Sequence, residues 1–157
     1  MVGQFTALKS LTICWEPGHT YNFTDSQWQA LSCLRCLTSL DLGVVQMVDF
    51  SPLTHLTQLN KLSLQLPETS PVQHPEALTH LTALAVLDLG VECSGDFSMH
   101  NSLAHVVRAL SSLQELTLLE VTPGPWTDTL QRLTGLTQLK ASKLHRQEQT
   151  ALSACPA

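Results

Sequence analysis

Six segments of this chain place leucine or a close substitute at the same three positions. They are Leu8-x-x-Leu11-x-Ile13, Leu37-x-x-Leu40-x-Leu42, Leu59-x-x-Leu62-x-Leu64, Leu84-x-x-Leu87-x-Leu89, Leu113-x-x-Leu116-x-Leu118 and Leu136-x-x-Leu139-x-Ala141. Their central leucines are separated by 29, 22, 25, 29 and 23 residues, and five are preceded by a further leucine three residues upstream: Leu34, Leu56, Leu81, Leu110 and Leu133. A straight α-helix cannot use this spacing. At about 100° per residue, the leucines at 53, 56, 59 and 62 sweep roughly 900°, and the last faces away from the first. The closing Leu-x-Leu has period two, the alternation of a strand. Each segment therefore reads as a tight turn that delivers the chain into a short strand, with every leucine directed into one interior.

The intervening stretches carry helix signals. Thr24-Asp25-Ser26 can cap a helix through Leu34, and Pro75 suits a first helical turn. Ser98 or Asn101 can open a helix through Leu103, Val106, Val107 and Leu110. Trp126 to Leu130, led in by Pro123-Gly124-Pro125, precedes a helix of the sixth repeat, whereas the repeat around Ser51-Pro52-Leu53 has room for about one turn. Self-similar units of this length cannot bury their apolar faces alone and must stack.

The pattern resembles the leucine-rich repeat family, Leu-x-x-Leu-x-Leu-x-x-Asn/Cys-x-Leu, over about residues 5–144. The resemblance implies an α/β fold: a right-handed solenoid of about six short parallel strands, centred near residues 12, 41, 63, 88, 117 and 140, with helices or turns on its convex side. The family's Asn/Cys position is filled by Glu16, Val45, Pro67, Glu92, Val121 and Leu144. Without that side-chain ladder, the backbone polar groups of the turn need other partners. The expected organisation is a repeat domain over 1–144 and a polar tail over 145–157. Neither end carries an evident cap, which suggests a fragment of a longer repeat protein and would allow end-to-end self-association.

Composition narrows the function classes. Leucine accounts for 30 of 157 residues, while charged residues make up only 13%. That balance opposes disorder, and no apolar run reaches the ~18 residues of a membrane span. A net charge of −5 opposes sequence-independent nucleic-acid binding. The first eight residues lack the basic and apolar regions of a secretory leader, and five cysteines are an odd number for a disulfide framework. Both features point to reduced thiols and a cytoplasmic location.

Catalytic chemistry finds no purchase in the sequence. There is no phosphate-cradling glycine run and no nucleophile elbow. Cys33-Leu34-Arg35-Cys36 is a C-x-x-C, but zinc would need a second pair and a thioredoxin-like site its own fold, so both cysteines read as small semi-buried fillers. Cys33, His55 and His80 occupy equivalent repeat positions and could stack into a column; repeat register explains the coincidence without a metal. No enzyme activity, metal or cofactor is expected.

What remains is a protein-interaction module with no nucleic-acid or membrane role. The resemblance adds an alternative, a substrate-recognition segment of a larger ubiquitin-ligase adaptor or receptor-type repeat protein. Strand alternation sends the residue between the paired leucines outward, so Thr12, Asp41, Ser63, Asp88, Thr117 and Lys140 should form one row on the concave face. Flanking rows should be Ser10, Ser39, Lys61, Val86, Glu115, Gln138 and Cys14, Gly43, Gln65, Gly90, Leu119, Ser142. These rows hold no aromatic, and interface hot spots favour Trp, Tyr and Arg. Trp15, with His19 and Tyr21, and Trp126 lie just past strands: either they line a loop rim that engages the partner together with the row, or Trp15 and Trp126 cover the core where the leucine pattern is interrupted.

Overall fold

The computed structural model describes residues 7–13, 24–44, 49–66, 72–91, 98–119 and 125–142. Six strands form one parallel sheet in chain order: β1 Ser10–Thr12, β2 Ser39–Val44, β3 Lys61–Leu66, β4 Val86–Val91, β5 Glu115–Leu119 and β6 Gln138–Ser142. Between them run helix α1 Asp25–Ser32, a 3₁₀ turn Ser51–His55, a 3₁₀ turn Pro75–His80, helix α2 Ser98–Val107 and helix α3 Pro125–Arg132. Each of these packs on the next in order, giving a second layer behind the sheet. The strands stand where the leucine spacing places them.

The three-residue leucine period has a direct cause. Leu34 N–H donates to the Leu31 carbonyl, and Leu37 N–H to the Leu34 carbonyl, both at 2.9 Å. The same pair of i→i+3 bonds recurs at Leu53-Leu56-Leu59 (2.9 and 2.9 Å) and Leu78-Leu81-Leu84 (3.0 and 3.0 Å). Three residues per turn is 3₁₀ geometry, in which side chains three apart eclipse. Leucines at that spacing therefore share one inward face. All nine of them are buried, as are the strand leucines Leu40, Leu42, Leu62, Leu64, Leu87 and Leu89. One continuous core results, with Leu8, Leu11 and Ile13 packed on it at one end and Leu136 and Leu139 at the other.

The turns at the expected asparagine positions lie outside the described residues, while at the entrance to the strands a backbone rail joins the repeats. Thr38 and Ser39 N–H both donate to the Lys9 carbonyl (2.8 and 3.0 Å), and Asn60 and Lys61 N–H to the Thr38 carbonyl (2.8 and 3.0 Å). Ala85 and Val86 then use Asn60, Gln114 and Glu115 use Ala85, and Thr137 and Gln138 use Gln114. Side chains reinforce this rail: the Thr38 hydroxyl donates to the Lys9 carbonyl (2.9 Å) and the Thr137 hydroxyl to the Gln114 carbonyl (3.0 Å). Each of these joints closes with backbone groups that need no particular side chain.

The connecting elements follow local chemistry more than repeat length. Thr24 caps α1 in a full capping box: its side chain accepts from the Gln27 N–H, and the Gln27 side chain accepts from the Thr24 N–H (2.9 Å). The 25-residue repeat closes with a 3₁₀ turn, while the 23-residue one carries the eight-residue α3. Pro75 opens the first of these, preceded by His74 in the left-handed region (φ 53°). α3 starts at Pro125, one residue ahead of the stretch expected only to precede it. The Thr129 hydroxyl, buried, donates to the Ala104 carbonyl at 3.0 Å and ties α3 to α2. The expected boundary at 144/145 and the tail beyond it lie outside the described residues.

Candidate interaction surface on the concave sheet

Register across the sheet is continuous. Thr12 lies opposite Asp41, Asp41 opposite Ser63, Ser63 opposite Asp88, Asp88 opposite Thr117 and Thr117 opposite Lys140. Parallel in-register pairing of strands whose alternate residues are buried leucine leaves this row facing out. Thr12 and Lys140 are exposed, and Asp41, Ser63, Asp88 and Thr117 are partly exposed. The row beside it, Ser10, Ser39, Lys61, Val86, Glu115 and Gln138, is also continuous.

The third row departs from expectation at its start. Val44, not Gly43, lies opposite Gln65, because the pairing of β2 with β3 slips by one residue after Asp41. Gly43 holds φ 55°, a left-handed conformation that side chains resist, and its N–H donates to Asp41 Oδ1 at 3.2 Å. The extra residue bends β2 and fixes the Asp41 carboxylate against its own strand. Beyond it, Gln65, Gly90, Leu119 and Ser142 align as expected. Gly90 lets Gln65 lie across it: a Cβ there would stand 3.2 Å from Gln65 Cγ.

Charge is distributed in a definite pattern. Lys61 Nζ reaches diagonally to Asp88 Oδ2 at 3.9 Å, with the two side chains 50% and 33% exposed. Such a pair in water contributes at most about 1 kcal/mol, so its role is to set orientation rather than to hold the fold. Asp41 and Glu115 stand on either side of it, and Lys140 closes the far end. The surface is polar, mixed in sign and shallow.

Several expected residues sit elsewhere. Of the two readings of Trp126, burial selects the core one: it is 1% exposed, at the first turn of α3, where the leucine pattern is interrupted. Its indole Nε1–H has no hydrogen-bond partner among the described residues. Trp28, on α1, is likewise buried. Trp15, His19 and Tyr21 lie outside the described residues, as does Cys14. Cys33 and Cys36 are not semi-buried fillers; both are exposed free thiols. His55 and His80 are exposed as well, and among the described residues no three His, Cys, Asp or Glu groups could hold a metal ion. Away from the sheet, His74 Nδ1 lies 3.0 Å from Glu76 Oε1. The backbone N–H at Glu76, and then the His74 imidazole, hold that carboxyl below the ordinary carboxylate range.

Sheet order, parallel register and convex turns together define a leucine-rich-repeat solenoid. No family model and no curated protein matches the chain. Among solved structures it is similar to internalin C2 from Listeria monocytogenes, at 23% identity and a TM-score of 0.56. That likeness covers 90% of this chain and 54% of the internalin chain, so the chain spans about half the length of its structural neighbour. The expected cytoplasmic location does not survive this comparison with an internalin chain. The physical reason is that a continuous leucine core needs no disulfide framework, so cysteine number carries no information about compartment. Among the described residues no helix is long and apolar enough to cross a membrane.

Proposed function

We propose that the chain is a non-enzymatic protein-docking module whose concave sheet receives a protein partner. The observation that carries this reading is the unbroken row Thr12, Asp41, Ser63, Asp88, Thr117 and Lys140, presented on a sheet whose other face carries the leucine core, fully buried in its central strands. A solenoid gains little stability from these side chains, since the inward face and the backbone rail already join the repeats. Their use is recognition. Asp41 and Asp88 give polar orientation, the Lys61–Asp88 pair sets which carboxylate oxygen faces outward, and Trp15 supplies the large apolar contact that the sheet lacks.

The test compares proteins co-purifying with the wild-type chain and with an Asp41→Lys, Asp88→Lys variant, with Trp15→Ala as a third bait. A partner that binds by this face is retained by wild type and lost from the double variant, while thermal stability stays nearly unchanged. Partners retained equally by all three baits would refute the assignment. A large stability loss in Trp15→Ala would place that side chain in the core instead.

A further inference from the structure

The three-residue period that stacks leucines inward also stacks the residues between them outward. In the segment between α1 and β2, Leu31, Leu34 and Leu37 are buried, while Cys33, Arg35 and Cys36 are exposed. Two consecutive i→i+3 bonds, from Leu34 to Leu31 and from Leu37 to Leu34, hold this backbone in 3₁₀-like turns. The two turns meet at Leu34, and Cys33 and Cys36 lie on either side of that junction, one in each turn. A disulfide bridges Cα atoms about 4.4–6.8 Å apart. Both thiols are free and exposed on successive tight turns, and closure brings their Cα atoms within that span. The equivalent pairs in the other repeats are His55/Gln58, His80/Ala83, Ala109/Ser112 and Arg132/Gly135. Two sulfurs occur together in this repeat alone.

We propose that Cys33 and Cys36 form a redox-reactive dithiol that closes to an intramolecular disulfide by exchange with a small-molecule disulfide such as oxidised glutathione. The Cys33 thiol donates to the Gln29 carbonyl at 3.7 Å, whereas Cys36 has no hydrogen bond among the described residues. Cys36 is therefore the attacking sulfur. Its thiolate, having lost a proton to water, displaces one glutathione thiolate and forms a mixed disulfide. Cys33 then loses its proton and attacks the Cys36 sulfur, expelling the glutathione. The protein loses two electrons and two protons, and the small disulfide is reduced to two thiols. Closure pins the C-terminal end of α1 to the turn that leads into β2, away from the concave row.

Arg35 makes the test direct, because trypsin cuts between the two cysteines. The whole chain is equilibrated in buffers of reduced and oxidised glutathione, alkylated, digested and analysed by mass spectrometry with and without reductant. The expected product is a peptide ending at Arg35 linked to one beginning at Cys36, released by reduction. It should persist in Cys14→Ser and vanish in Cys33→Ser and Cys36→Ser. Cys33→Ser should accumulate one glutathione on Cys36 at ratios where wild type carries none. Alkylation of both cysteines at every ratio would overturn the proposal. So would a linked peptide that survives in Cys33→Ser, since Cys14 would then be the partner.

Discussion

Leu62 offers the sharpest energetic test of the repeat register. It sits at the centre of β3, fully buried, opposite Leu40 on one side and Leu87 on the other. Leu62→Ala removes the methyls that join two repeats, and neighbours fixed by their own inward leucines cannot close the gap. Buried Leu→Ala changes cost 2–5 kcal/mol, so about 3 kcal/mol is expected here. For a chain of this size, that is a fall in Tm of roughly 6–12 °C at about 2–4 °C per kcal/mol. With a urea m-value of ~2 kcal/mol/M, the midpoint should drop by about 1.5 M. Ser63→Ala, one residue along and on the opposite face, should cost less than ~0.5 kcal/mol. Leu139→Ala, in the last strand and only partly buried, should cost about half as much as Leu62→Ala or less. Urea titrations followed by far-UV circular dichroism measure all three. Equal losses for Leu62→Ala and Ser63→Ala would refute the alternation, and equal losses for Leu62 and Leu139 would refute the gradient from centre to edge.

Three smaller predictions concern single features. Thr24→Ala removes the cap of α1 and should destabilise the chain by about 1 kcal/mol, while Thr24→Ser should restore most of it in the same urea assay. Gly43→Ala forces a side chain into the left-handed region at the β2 bulge and should cost roughly 1 kcal/mol or more; an unchanged midpoint would show that the bulge is not maintained. Glu76 should titrate below the ordinary carboxylate range by NMR, with its stabilising contribution present at neutral pH and lost as the pH falls through its folded-state value. His74→Ala should raise that value only part of the way, because the backbone N–H is the larger cause.

Leucine spacing made the strands, their order and the outward row legible from sequence, because period two and period three each correspond to one backbone geometry. Composition could not distinguish the connecting elements in the same way. Pro75 and the left-handed His74 close a 25-residue repeat with a 3₁₀ turn, and the Pro125 start lets a 23-residue repeat hold an α-helix. The Gly43 bulge was invisible because one inserted residue after Leu42 leaves every leucine in phase. Trp126 leaves two readings open in the sequence, because an aromatic just past a strand can line a rim or fill the core where the leucine pattern is interrupted, and its burial selects the core. Cys33 and Cys36 were misread as fillers because their leucine neighbours suggested burial, whereas a three-residue turn buries one position in three.

Site-specific photo-crosslinking tests the concave face as a docking surface most directly. A photoreactive residue is placed at Ser63 or Thr117 in the outward row, and at Asn101 on α2 or Thr134 beyond α3, all of which are at least partly exposed. The docking account predicts that a co-purifying protein is crosslinked from Ser63 and Thr117, and that Asp88→Lys abolishes both adducts. Crosslinking from Asn101 or Thr134 with none from the row would contradict it.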